Sequence, residues 1–524
     1  MAATCVAAAT ALATGTAPAA QAATTSGLLG GLVGVVGGVV GVVTTAVDTT
    51  TGLLGGADWG YGASQTSMSD VSRAVHADAM WQRGYTGKGV GVALIDTGVA
   101  PVPGLTSGNV VNGPDLSFDS QAPSLRDLDS YGHGTNMAGI IAGNDPATGF
   151  KGVAPGATLL SVKVGATDGG ADVSQVIAAI DWIVAHRHDP GLNIRVINLS
   201  FGTDGTQSYL LDPLTHAVES AWRAGIVVVA SGGNQGSVQP SLDDPAYDPF
   251  VIAVGADDTN GTASSLDDSV PDFSSRGSAT RRVDVLAPGQ SIVSLRDPGS
   301  YVDTEYPGAR VQTRWFKGSG TSQAAAVVSG AVALLLQARP ELTPNDVKAL
   351  LASTAQPTPL ADAAGRGAGL VDVAAAALAL RPYAVQPWAP STGLGSLDAA
   401  RGTHRVADNG ADLSGERDIF GSPWQPGIWA PASTAGTAWT GGTWNGHAYA
   451  GTCWCGTSWA TRTWTVVPWS GVSWAGVSWA SRSWSSRSWS SRSWSTGSWS
   501  TGSWSSRSWS SRSWSGAYWS SAGG

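Results

Sequence analysis

Four short stretches carry side chains able to do chemistry together. Leu94-Ile95-Asp96-Thr97-Gly98 ends an apolar run in a carboxylate, and Tyr131-Gly132-His133-Gly134-Thr135 sets an imidazole at the start of a helix-like segment. Ser231-Gly232-Gly233-Asn234 ends a second apolar run in an amide, and Gly318-Ser319-Gly320-Thr321-Ser322 opens a long Ala/Val/Leu-rich segment with a hydroxyl. Taken singly, each has a structural reading: a turn, a helix cap, a loop that needs positive φ, an N-cap serine. Taken jointly they form a nucleophile, a base to take its proton, a carboxylate to fix the base's tautomer, and an amide donor for a developing oxyanion. Ser322 in the first turn of a helix would sit among free backbone N–H groups at the positive end of the helix dipole, which favours such an oxyanion.

These residues need elements that deliver them to one place. Between about Ser69 and Leu380, Val90 to Ile95, Thr158 to Val164, Arg195 to Phe201, Ile226 to Ala230, Val251 to Gly255 and Val283 to Ala287 are short continuous apolar runs, as expected of strands buried on both faces. Among them, Asp172 to Arg187 places Val173, Val176, Ile177, Ile180, Ile183 and Val184 on one helical stripe, with Asp172 as N-cap. Leu211 to Ala224 and Thr343 to Ser353 also read as helices. The alternation predicts an α/β fold of three layers, α/β/α, around a mainly parallel sheet. Chemistry in such sheets gathers at the carboxyl ends of the strands, where Asp96 and Asn234 fall.

In order along the chain, the motifs resemble those of the subtilisin-like serine peptidases, the subtilases. The resemblance rests on Ala93 to Gly98, on Gly132-His133-Gly134-Thr135 with Ala138 to Gly143, and on Gly152-Val153-Ala154-Pro155. It continues through Val196 to Gly202, Gly233-Asn234, Leu286-Ala287-Pro288-Gly289 and Gly320 to Ala324, and covers roughly residues 70 to 380. It implies a catalytic triad of Asp96, His133 and Ser322, with an oxyanion hole formed by the Asn234 side chain and the Ser322 backbone N–H. It also implies substrate edges at Ser200-Phe201-Gly202 and Asp168-Gly169-Gly170, and a wall of the pocket for the residue before the cut at Ser231-Gly232-Gly233. Asn136 stands where many family members carry a second histidine, a change expected to affect packing more than chemistry. The triad chemistry needs no cofactor, and no metal ligand set is assigned; structural calcium is compatible with the family, its ligands unknown. No inhibitory prodomain is visible, because the span from Thr49 to Ser69 is too short for one.

Composition bounds the rest. With 70 Gly, 24 Trp and only 13% charged residues in 524, low-complexity segments are expected beside a globular domain. A net charge of −9 argues against a nucleic-acid binder. None of the three cysteines, Cys5, Cys453 and Cys455, lies in the middle section, so the core does not depend on disulfides. Residues 1–23 resemble a truncated signal peptide ending in Ala20-Gln21-Ala22, which predicts a secreted or surface-associated protein of bacterial type. Residues 24–68 form a Gly/Val-rich spacer; Gly27 to Val47 is long enough to cross a bilayer, but its glycines and lack of flanking basic residues favour the spacer over a membrane anchor.

Beyond 380 a linker is expected over 381–435 and a Trp-Ser repeat tail over 436–524. From Trp439 to Trp519 an aromatic residue recurs every fifth position, Tyr449 being the non-Trp member, with Trp424 and Trp429 in phase. So many tryptophans predict a surface to stack on, whether polysaccharide, cell envelope or partner protein, or self-association. Two functions follow: an exported serine endopeptidase acting on polypeptides through an acyl-enzyme, or a surface-binding or assembly protein whose peptidase domain acts only in self-processing.

Overall fold

In the computed structural model, residues 66–237, 241–408, 411–450 and Trp454 are described. The signal-like segment, the spacer, Cys453, Cys455 and the repeats beyond Trp454 lie outside them. After two short helices, α1 (Met68–Ala74) and α2 (Ala77–Gln82), come β1 (Gly91–Asp96), β2 (Val110–Asp115), α3 (His133–Ala142), β3 (Thr158–Lys163) and α4 (Val173–His186). The chain continues through β4 (Ile194–Leu199), α5 (Pro213–Arg223), β5 (Val227–Ser231), β6 (Ile252–Asp257) and β7 (Val285–Pro288). A hairpin-like pair, β8 (Ile292–Leu295) and β9 (Trp315–Gly318), leads to α6 (Thr321–Ala338), followed by α7 (Pro344–Ser353) and α8 (Val373–Leu378).

Seven strands form one sheet in the order β2-β3-β1-β4-β5-β6-β7, every neighbouring pair parallel. Strands β1, β5 and β6 are buried along their whole length, which is why they read as continuous apolar runs rather than alternating ones. Helices α4 and α5 cover one face, while α6 runs under β4 to β7 and packs on α3. Asp172 caps α4 as the sequence predicts, reciprocally with Gln175, and Asp212 caps α5. Among the described residues, the helix apolar enough and long enough to cross a membrane is α6, which is 89% buried in the domain.

The expectation of a linker over 381–435 is not met. The segment lies on the domain as a further layer: α9 (Leu397–Arg401) packs on α4 and α5 and α10 (Pro426–Thr434) on α5, and the short strands β10 (Trp439–Thr440), β11 (Thr443–Trp444) and β12 (His447–Ala448) follow, β10 against α4. Arg401, Ile419, Phe420, Trp424 and Trp429 are nearly inaccessible, although Tyr383, Val385, Trp388, Leu394 and Ile428 of the same segment stay exposed. The first aromatic residues of the five-residue register share this layer. Trp429 and Trp444 donate their indole N–H groups to the buried carboxylate of Asp181 at 2.8 and 3.0 Å, and Trp439 donates to the Ala178 carbonyl at 2.7 Å. Trp454 completes the cluster against Phe420, Trp439 and Tyr449. For these members, the surface they stack on is the chain's own domain.

Candidate active site

Asp96 ends β1, and its carboxylate meets His133 Nδ1 at 2.7 and 3.0 Å. The approach depends on Gly134: a Cβ there would lie 2.0 Å from the Gly98 carbonyl oxygen and 3.0 Å from Asp96 Oδ1. Glycine thus lets α3 come down onto the Asp-Thr-Gly turn. Thr97 locks the contact by donating its backbone N–H to Asp96 at 2.8 Å and accepting from the Gly134 N–H at 2.9 Å. Asp129, which the sequence did not single out, ties the same knot from the other side. It accepts from Thr97 Oγ1 at 2.7 Å and from the Gly132 and Thr135 amides at 2.7 Å each, holding the start of α3. Its only signal in the sequence is an aspartate shortly before a helix start.

Ser322 lies in the first turn of α6, but it is not the cap: Gly320, which has no side chain to cap with, holds that position. Gly320 in turn donates its N–H to the carbonyl of Gly289, the residue after β7, at 2.8 Å, so the end of that strand fixes where α6 begins. Asn234 follows β5, and its Oδ1 accepts from the Thr321 N–H at 2.9 Å and the Thr321 hydroxyl at 3.0 Å. With its oxygen so engaged, the amide nitrogen is the end left to donate. Ser322 Oγ and Asn234 Nδ2 are both buried and make no hydrogen bond among the described residues.

Burial governs the electrostatics. It holds His133 well below the ordinary imidazole value, opposed by the Asp129 carboxylate. It raises the Asp96 carboxyl, opposed by the Thr97 amide and reinforced by Asp129. A neutral imidazole held by Asp96 through Nδ1 is the form able to take a proton at its other nitrogen.

The residues expected to form the substrate edges make the following contacts. Ser200 donates its hydroxyl to the Ser322 carbonyl at 3.1 Å and accepts from Asn198 at 3.0 Å, while Phe201 is buried and Gly202 half-buried. Asp168, Gly169 and Gly170 form a closed turn, with the Gly170 N–H on Asp168 Oδ1 at 2.9 Å and the Gly169 N–H on the Ala166 carbonyl at 2.7 Å. Ser231, Gly232 and Gly233 run from β5 toward Asn234, with the Gly233 N–H on Thr321 Oγ1 at 3.2 Å. Asp243 went unnoticed in the sequence. A Cβ on Gly202 would lie 2.7 Å from the Asp243 Cβ, and one on Gly233 2.7 Å from its carboxyl carbon. The two glycine-bearing edges therefore converge on one carboxylate, which accepts from the Gln235 amide at 3.1 Å. Asn136, in place of a histidine, donates to the Phe316 and Leu295 carbonyls at 3.2 and 3.4 Å and fastens α3 to β8 and β9. Among the described residues, no group of three or more His, Cys, Asp or Glu gathers to hold a metal ion.

Residues 87–375 match the Subtilase family. Serine protease AprX of Bacillus subtilis (strain 168) is 39% identical over 294 residues, an alignment covering 54% of this chain and 65% of that protein, so just under two thirds of that relative's length is spanned. Subtilisin DY of Bacillus licheniformis is 36% identical over 305 residues, covering 58% of this chain and 96% of the relative. Among solved structures, the crystal structure of a cold adapted subtilisin-like serine proteinase is 30% identical and covers 55% of this chain and 90% of that one, at a TM-score of 0.44.

Proposed function

The chain belongs to the subtilase family of serine endopeptidases, and from that premise we propose that it cleaves polypeptides through a Ser322 acyl-enzyme. In this reading His133 takes the Ser322 proton as the hydroxyl attacks the scissile carbonyl, and Asp96 holds the imidazole in the tautomer that can accept it. The oxyanion is met by Asn234 Nδ2 and the Ser322 backbone N–H. His133 then returns the proton to the leaving amine, and water repeats the sequence to release the acid.

The observations that support this reading are the closed Asp96–His133 contact and the Asn234 side chain seated on Thr321, next to Ser322 in the first turn of α6. The substrate runs extended between the 168–170 and 200–202 edges, pairing with both backbones. Asp243, standing between Gly202 and Gly233, gives the pocket before the cut an acidic floor and favours a lysine or arginine there. We add export to the proposal, on the small-x-small site Ala20-Gln21-Ala22. Contact with polysaccharide or cell envelope is left to the repeats beyond Trp454, because the preceding ones are engaged by the domain itself.

The test is hydrolysis of an unrelated denatured protein by the purified chain. Wild type should degrade it and Ser322→Ala should not. Cleavage restricted to the chain's own sequence would favour the self-processing alternative, and undiminished hydrolysis by Ser322→Ala would remove Ser322 as nucleophile.

A further inference from the structure

Both substrate edges are followed, within a few residues, by contacts to the same short helix of the C-terminal layer. On one side, the 168–170 turn runs into Asp172, whose carboxylate receives Arg401 Nε at 2.6 Å and Nη2 at 3.2 Å. Both side chains are fully buried. That carboxylate also caps α4, accepting from the Ser174 amide at 2.9 Å, so its position is fixed from two directions. Arg401 is held in turn by the carbonyls of Gly415, at 2.9 Å, and Arg417.

On the other side, the 200–202 edge runs into Thr203, whose hydroxyl donates to the Ala400 carbonyl at 2.6 Å. Its neighbour Asp204 receives the Thr403 N–H at 2.7 Å and the Thr403 hydroxyl at 2.6 Å. Gly402 adopts a φ of 58°, and a Cβ there would lie 2.2 Å from Asp204 Oδ1, so the turn after α9 is shaped to seat that carboxylate. Gln207 extends the seam by exchanging two hydrogen bonds with the Ser396 backbone, at 2.7 and 3.1 Å.

A strand that adds between two edges needs them held about two strand spacings apart, roughly 9 to 10 Å. Loops that are free to close on each other must be opened before substrate enters, and that cost appears in binding. We infer that α9 and the turn after it brace the substrate channel, with Arg401 and Thr403 as positioning residues that keep the two edges at substrate width. The C-terminal layer thereby takes part in substrate recognition without touching the reacting atoms. This inference rests on the edges being those named above.

The experiment compares two substrates on the full chain after active-site titration with a fluorophosphonate. A tetrapeptide p-nitroanilide spans the channel, while p-nitrophenyl acetate reaches only Ser322. In Arg401→Met the KM for the tetrapeptide should rise about tenfold with kcat nearly unchanged, and acetate hydrolysis per titrated site should stay at the wild-type rate. Arg401→Lys should fall between, since a single ammonium cannot reproduce the two-nitrogen contact. Asp204→Ala tests the opposite edge at a more exposed position, should Arg401→Met fail to fold, and should raise the same KM. An unchanged tetrapeptide KM in either titratable variant would overturn the brace, as would a parallel loss on both substrates. A wild-type chain that neither titrates nor hydrolyses either substrate would instead overturn the peptidase reading itself.

Discussion

At the scale of single residues, what could be read from the sequence was what the chain keeps local. Asp96, His133, Asn234 and Ser322 each sit in a motif whose glycines and neighbours report a strand end or a helix start, so their settings were visible before their contacts were. Asp129 and Asp243 were not visible, because their roles come from approach through space: one closes on Thr97 and the start of α3, the other faces glycines 202 and 233. Two predictions belong here. Asn234→Ala should lower kcat by roughly 100-fold to 1000-fold with little change in KM, a range taken from removal of an oxyanion donor in a subtilisin itself; a raised KM at unchanged kcat would assign Asn234 to substrate binding instead. Asp243→Asn should reduce the preference for Lys over Phe before the cut by at least about tenfold in kcat/KM. Equal ratios in wild type and variant would place the Asp243 carboxylate outside the pocket.

At the scale of elements, the parallel sheet was legible because strands buried on both faces leave continuous apolar runs, and α4 because its stripe and its Asp172 cap are local signals. The outer layer was not, since α9 and α10 are short, α10 contains Pro431, and their stability comes from partners far along the chain. Asp181 shows how that layer is held. Burial raises its carboxyl from an ordinary 3.8 to about 6, although Ser433, Trp429 and Trp444 all donate to it and oppose the shift. Between those values the folded state keeps a proton that the unfolded chain has released. Its stabilising contribution is therefore complete below about pH 3.8 and is lost as pH rises through about 6. Asp181→Asn, which cannot titrate, should flatten the dependence of Tm on pH between those limits. An identical slope in both proteins, followed by differential scanning fluorimetry, would show that Asp181 does not couple this layer to pH.

At the scale of the whole molecule, the described part of the chain is a peptidase domain wrapped by its own C-terminal segment. Composition suggested the opposite, because Gly, Pro, Ser and Thr between 381 and 435 resemble a linker and the tryptophans resemble an adhesive surface. What composition cannot convey is that a few large side chains suffice when a preformed face awaits them: Asp172 for Arg401, Asp181 for Trp429 and Trp444. The central claim is that this assembly serves one reactive hydroxyl. It is tested most directly by treating the full chain with a fluorophosphonate and locating the adduct by peptide mass spectrometry. A single phosphonylated residue at Ser322, absent from His133→Ala, is the expected result. Modification elsewhere, or equal labelling of Ser322 without His133, would contradict it.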